Sequence, residues 1–297
     1  MGLRFDGRVA IITGAGGALG RSHALEFARR GARVVVNDVG GSVHGVGEAK
    51  TPAQQVVDEI EAIGGEAIAN FESVSSVAGG QAIVEAALHA FGRIDILVNN
   101  AGILRDKAFH NMEAADIDAV LDVHLRGAMF VTQPVFKLMR QQQFGRIINT
   151  TSASGLFGNF GQANYGAAKA GLFGLTRVLA QEGARVNIRV NAIAPLARTR
   201  MTEGLLGNLA KLLDPESASA VVAYLAHESC EVNGQVFSVA GSRVARIFMA
   251  ESHGVVLPAL TPEAVRDNLA AIGDEDHYFV PGSLTEATAI IQQAISA

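Results

Sequence analysis

Residues 8–20 read RVAIITGAGGALG, an apolar run that turns through four glycines between Thr13 and Gly20 and then opens a helical pattern. So many glycines in one turn mean that something approaches the backbone too closely for side chains. A strand, a glycine turn and a helix start also make an anion site, because the free amides of the first helical turn and the helix dipole both face the turn. A dinucleotide pyrophosphate fits such a site. On the glycines alone, a tight strand-to-helix turn with no ligand stays open as a reading. The next apolar run, VVVND (34–38), ends on Asp38, whose carboxylate would accept both hydroxyls of an adenosine ribose and repel a 2′-phosphate. That favours NAD over NADP. Arg21, in the first turn of the helix, argues the other way unless it projects into solvent.

Outward from this turn the pattern repeats. Short β-branched runs at 9–13, 34–38, 67–70, 96–102, 146–150, 188–195 and 234–241 alternate with amphipathic segments near 20–30, 52–63, 77–90, 116–140, 163–182 and 217–226. Continuous apolar strands separated by helices predict a doubly wound α/β fold, a seven-stranded parallel sheet with helices on both faces. After Gly241 the pattern changes to two short helices, one opened by Thr261 as N-cap with Pro262 behind it and one near 284–295. Residues 1–241 are therefore expected as the nucleotide-binding domain and 242–297 as a helical extension packed on it.

Composition excludes other classes. The chain has 297 residues, 49% hydrophobic and 18% charged, enough to bury a large core. A net charge of −5 without a block of Lys and Arg argues against a nucleic-acid partner. A single cysteine, Cys230, forms neither an internal disulfide nor a cysteine metal site, and no metal is expected. No long apolar stretch predicts a signal peptide or a membrane partner, so a cytoplasmic protein is expected.

TGAGGALG, NNAG at 99–102, Ser152, and Tyr165 followed by Lys169 together resemble the short-chain dehydrogenase/reductase family, with its Rossmann-type fold. The resemblance implies cofactor contacts at Gly14, Gly17, Leu19, Gly20, Asp38, Ser73, Val74, Asn100, Ala101, Gly102, Tyr165, Lys169 and Pro195. Thr199 would face the nicotinamide amide. The family pattern T-G-x-x-x-G-x-G carries Ala18 here at its middle glycine, and a methyl group there is expected to weaken cofactor binding at worst. Tyr165 and Lys169 are four apart, so on a helix they project roughly 40° apart on one face. A phenol is a poor base at neutral pH, and a nearby ammonium favours its phenolate. By resemblance Tyr165 exchanges a proton with the substrate oxygen, Lys169 lowers its pKa and holds the nicotinamide ribose, and Ser152 hydrogen-bonds the same oxygen.

His124 stands in DVHLRGAMFV, where the family usually has an asparagine whose backbone carbonyl holds a water. Three roles stay open for it: that carbonyl, a proton shuttle, or a structural residue in an apolar helix. DVHLRG, SASGLFGNFGQANY, IAPLARTRMTE, HESCEVNG, TPEAVRDN and the loop GGSVHGVGEAK narrow the resemblance to the (3R)-hydroxyacyl-CoA dehydrogenase units of multifunctional β-oxidation enzymes. That subfamily carries the histidine. It implies NAD-dependent oxidation of a (3R)-hydroxyacyl-CoA, with any hydratase on a separate polypeptide. The last residues, AISA, are no peroxisomal address. The segment 201–213 follows IAP, where the family keeps a substrate loop, and its leucines suit an acyl chain or a sterol as well as an ordinary amphipathic helix. A 17β-hydroxysteroid dehydrogenase, a 3-oxoacyl reductase and a non-catalytic cofactor-binding subunit of a hetero-oligomer are the alternatives. The family's use of its two long helices as an interface implies a homodimer or homotetramer.

Overall fold

The apolar runs become β1 (Val9–Thr13), β2 (Arg33–Asn37), β3 (Glu66–Asn70), β4 (Ile96–Asn99), β5 (Gly145–Thr150), β6 (Ile188–Leu196) and β7 (Val236–Ala240) in the computed structural model, which describes residues 2–42, 44, 51–198 and 211–296. They pair in parallel in the order β3-β2-β1-β4-β5-β6-β7. An eighth strand, β8 (Arg243–Ile247), adds to the β7 edge, which corrects the expected seven. Only two residues separate β7 from β8, so the addition is a hairpin turned at Gly241, whose φ of 53° suits glycine. The sequence after Gly241 has no apolar alternation to announce it.

Helices cover both faces because the central strands β1, β2, β4 and β5 are buried on both sides. On one face α1 (Ala18–Arg29), α2 (Thr51–Ala62) and α8 (Pro215–Ala226) bury Phe27, Ile60 and Val222. On the other, α3 (Val77–Phe91), α5 (Gly127–Gln142) and α7 (Ala163–Gly183) frame a core that includes Ile83, Val135 and Met139. The single helix expected over 116–140 is divided: α4 (Ala114–Leu121) leads through a π-helical turn, Asp122–Arg126, into α5. Such turns insert a residue into an otherwise continuous helix, and hydrophobic periodicity does not register them. A short helix, α6 (Ala153–Phe157), capped by Ser152, is likewise too brief to show in the pattern.

The sheet order reverses between β1 and β4, so a crevice opens beyond the carboxyl ends of those strands. All the expected site residues with described positions lie in the first of two compact units, Met1–Arg246. The second unit, Ile247–Ala297, contains α9 (Pro262–Asp267), α10 (Leu269–Ile272), α11 (Leu284–Ser296) and a two-stranded antiparallel ribbon of β9 (Glu251–Ser252) and β10 (Tyr278–Phe279). Thr261 caps α9 as expected, its Oγ1 accepting from Ala264 N at 3.1 Å. The ribbon and the extra helix go beyond the two helices expected, since two-residue strands leave no periodic trace.

Candidate active site

The glycine turn is crowded by the protein itself. A methyl group on Gly14 (φ 64°) would sit 2.7 Å from the Ala101 Cα, and one on Gly20 would collide with the Gly14 carbonyl. One on Gly16 would press on the Asp38 carboxylate and Pro52, each 2.8 Å away. The turn is also tied to β4: Asn100 Nδ2 donates to the carbonyls of Thr13 and Gly14, both at 3.0 Å, and Thr13 Oγ1 accepts from the amides of Asn100 and Ala101. Gly17 caps α1 without a side-chain hydrogen bond, so no capping side chain occupies the first-turn amides. Ala18 lies at φ 43°, in the left-handed region, so its cost falls on the backbone itself.

Asp38, just beyond β2, accepts from the Gly16 amide at 2.8 Å and the Gly40 amide at 2.6 Å. These bonds aim the carboxylate at the turn and leave further lone pairs for hydroxyls. Arg21 is turned away, its guanidinium paired with Glu59 of α2. A free helix start, a crowded glycine turn and an oriented carboxylate fit a dinucleotide. Leu19 of α1 packs on the core, Ser73 Oγ pairs with Ser75 Oγ at 2.8 Å, Val74 is buried, and Pro195 lies in β6 in register with Val239 of β7. Thr199, most of the 201–213 segment and most of the 40–50 loop lie outside the described residues.

Ser152, Tyr165 and Lys169 converge at the carboxyl end of β5. The Ser152 side chain lies beside the half-buried Tyr165 hydroxyl and favours its ionised form. Lys169 is buried, its Nζ 5.5 Å from the Tyr165 ring centroid and donating to the Thr150 carbonyl at 2.5 Å. Burial without a carboxylate partner pulls this ammonium down to about 7. The expected lowering of the phenol is not what this arrangement gives. Burial raises the Tyr165 pKa, Ser152 works against that rise, and Asp106 adds to it.

His124, in the π-helical turn, is buried with its ring edge-on to Tyr165, centroids 5.2 Å apart at 89°. Its Nε2 lies 2.8 Å from the Ile103 carbonyl oxygen and 3.0 Å from the Ile103 amide. Burial and the nearby Lys169 charge hold its pKa well below the ordinary value, and the Ile103 carbonyl offsets them in part. The ring explains Gly102, where a methyl group would run into His124 Cε1.

Several residues that position the site were absent from the expectations. Asn164 Nδ2 donates to the carbonyls of Arg105 (3.1 Å) and Asp116 (3.0 Å), fixing the start of α7 one residue before Tyr165. Asn99 and Asn149 lie opposite each other in β4 and β5, bonded at 2.9 Å. Their signal was available: an asparagine in each of two otherwise apolar strands demands a partner. Phe157 ends α6, and the Lys107 amide bonds the Gly161 carbonyl at 2.9 Å, bringing the segment before Phe109 beside the one that carries Phe160. Phe109, Phe157 and Phe160 are 71%, 75% and 90% exposed.

The family model for short chain dehydrogenase matches residues 8–207. The mouse protein named peroxisomal multifunctional enzyme type 2 is 47% identical over 298 residues, which span 99% of this chain and 40% of the mouse protein. The solved structure of full-length peroxisomal multifunctional enzyme type 2 from Drosophila melanogaster matches with a TM-score of 0.84 at 41% identity, covering 99% of this chain and 50% of that one. A 7α-hydroxysteroid dehydrogenase complexed with NADH and 7-oxo glycochenodeoxycholic acid matches with a TM-score of 0.73 at 31% identity, over 80% of this chain and 95% of that one. The chain thus spans about two fifths to one half of these multifunctional relatives. No described helix is long and apolar enough to cross a membrane.

Proposed function

The chain belongs to the short-chain dehydrogenase family, an oxidoreductase using a nicotinamide dinucleotide, and on that premise we propose that it oxidises a (3R)-hydroxyacyl-CoA to the 3-oxoacyl-CoA with NAD. The observation that carries the reading is the convergence of Ser152, Tyr165 and Lys169 beyond β5. The bound cofactor supplies the hydride acceptor. Ser152 orients the substrate oxygen, and Tyr165 takes its proton as the carbon gives up hydride. Lys169, unpaired with any carboxylate, is placed to hold ribose hydroxyls below the Tyr165 ring. Gly14, Gly17, Leu19 and Gly20 of the turn, with Ser73, Val74, Asn100, Ala101, Gly102 and Pro195, form the remaining cofactor contacts.

Asp38 supports NAD, and Arg21, occupied by Glu59, offers no cation to a 2′-phosphate. The three exposed phenylalanines support an apolar substrate, and the multifunctional relatives at 47% and 41% identity favour an acyl-CoA over a steroid. Those relatives are named as peroxisomal, which sets the peroxisome beside the cytoplasm as the working compartment. A homodimer or homotetramer is part of the proposal.

The test measures cofactor reduction by absorbance with NAD and with NADP, on (3R)- and (3S)-hydroxyacyl-CoA thioesters and 17β-hydroxysteroids, for the natural chain and Tyr165→Phe. Turnover of the (3R)-thioester with NAD, lost in Tyr165→Phe while cofactor binding persists, is the expected result. Turnover of steroids alone replaces the substrate. Silence on every substrate leaves a cofactor-binding subunit.

A further inference from the structure

We propose that one buried water joins His124 Nδ1 to Asn99 Oδ1, and that this bridge makes His124 a positioning residue for Tyr165. Both atoms are buried without a hydrogen-bond partner among the described residues. Both residues line the same small cavity, walled also by Thr13, Ala101 and Leu172, with room for about one water molecule. Two polar atoms around so small a space lie within reach of the same molecule.

The hydrogen-bond directions require this kind of bridge. Starting from α7, Thr176 Oγ1 donates to the Leu172 carbonyl at 2.7 Å, so it accepts from Asn149 Nδ2 at 2.9 Å. Asn149 therefore presents its oxygen to Asn99 Nδ2, at 2.9 Å, and that nitrogen also reaches Thr132 Oγ1 at 2.9 Å. The chain of bonds fixes the Asn99 amide and turns its Oδ1 away from both partners, as an acceptor in need of a donor. His124 Nε2 is engaged with Ile103 in either tautomer, giving to its carbonyl or taking from its amide. Nδ1 is then either an acceptor or a donor. A water satisfies both cases: it donates to Nδ1 and Oδ1, or accepts from Nδ1 and donates to Oδ1.

Completed in this way, one polar chain runs from α7 through β5 and β4 to the π-helical turn, which are the elements that carry or adjoin Tyr165, Ser152 and Asn100. The imidazole is pinned at both nitrogens and holds its edge against the Tyr165 ring. Tyr165 and Lys169, both from α7, are the titratable groups that face it. The ring stays neutral and serves Tyr165 by shape. The water site stands on geometry alone, whereas the positioning role rests on Tyr165 as the proton-transfer group.

A crystal structure of the whole chain at atomic resolution tests the site directly. One ordered water bonded to Nδ1 and Oδ1 is expected, and a dry or differently filled cavity overturns it. For the role, His124→Phe keeps a ring against Tyr165 and deletes both nitrogens. We expect kcat to fall about tenfold, with KM for NAD within about twofold and every limb of the kcat pH profile unmoved. Unchanged kcat, or loss of one limb, overturns positioning, the latter by making the imidazole a proton carrier. Should this variant not fold, nitrogen NMR of the natural chain decides. A His124 ring that does not titrate between about pH 5 and 8 supports the proposal, and one that titrates near the ordinary value overturns it. If Tyr165→Phe retains turnover, the reading of Tyr165 fails while the water site stands.

Discussion

The two ends of the sheet treat buried charge in opposite ways. At the amino ends of the strands, the fully buried Asp95 accepts from Arg8 at 2.9 Å, from Arg93 at 2.6 Å and from the Val9 amide at 3.0 Å. Arg146 beside it is just as buried, and its guanidinium meets the carbonyls of Gly145, Asn187 and Glu228 and rests 4.5 Å from the Phe144 ring centroid. At the carboxyl ends, Lys169 is buried against a carbonyl alone, and Asn99 Oδ1, His124 Nδ1 and Thr150 Oγ1 have no partner among the described residues. Charge whose hydrogen bonds are met on the spot, by a counter-ion as at Asp95 or by carbonyls as at Arg146, is structure. Charge left uncompensated at a crevice is available to a ligand or a reaction.

The strongest way to break this contrast is to exchange the two kinds of charge for neutral groups. Lys169→Met removes an ammonium that burial has already drawn down to about 7, so the thermal midpoint should hold or rise. Turnover should fall by about a thousandfold or more, since a cationic contact in a water-poor site is lost. If Lys169→Met unfolds, Lys169 belongs with Arg146 as a structural group. Asp95→Asn is the counterpart. It leaves Arg8 and Arg93 facing a neutral amide, and urea denaturation should show a loss of about 3 kcal/mol with kcat within about twofold. A large loss of kcat in the folded Asp95→Asn protein would mean that the two ends are coupled.

What the sequence made legible follows the same division. The central strands could be read because both of their faces are buried, and the Gly14–Gly20 turn, Asp38, Ser152, Tyr165 and Lys169 because their residue types and spacing persist in one chain. Illegible were features that depend on direction and depth. Nothing in DVHLRG announces a π-helical turn, and no spacing rule says how deeply Lys169 and Tyr165 are buried. The purpose of Gly102 was hidden for a related reason. Its space is taken by a ring that is 22 residues away in sequence and that arrives only when the π-helical turn aims it. The β8 hairpin escaped because RVARI follows a two-residue turn without an apolar period.

The comparison also locates acid sensitivity. His23, in the contact between α1 and α8, is fully buried with Nδ1 2.7 Å from Ser219 Oγ, and burial pulls its pKa down to about 3. His124 is lowered in the same direction. A base whose folded pKa lies below its unfolded value binds fewer protons when folded. Its share of stability is intact above about 6.5 and is lost as pH falls toward the folded value. Between pH 6.5 and 5 His23 should cost about 2 kcal/mol, read as a falling urea midpoint. His23→Gln should flatten that slope. An unchanged slope would place the acid sensitivity in the carboxylates of the paired end.

The smallest expected effect concerns Ala18, where two accounts predict different measurements. If its methyl group matters by crowding the cofactor, Ala18→Gly changes cofactor affinity and leaves the cofactor-free protein as stable as before. If the left-handed backbone at φ 43° matters, Ala18→Gly changes stability with no cofactor present. Holding an L-residue there costs about 1 kcal/mol, and glycine gives back part of that through the greater freedom of its unfolded chain. The expected gain is therefore about 0.5 kcal/mol in urea denaturation without nucleotide. Ala18→Val enlarges the signal with the opposite sign, because a β-branched residue tolerates that region poorly. A gain for glycine and a loss for valine, both without cofactor, place the departure at residue 18 in the turn's own backbone. Stability unmoved in both variants while the NAD dissociation constant shifts would assign it to the uncompensated, ligand-facing end of the sheet.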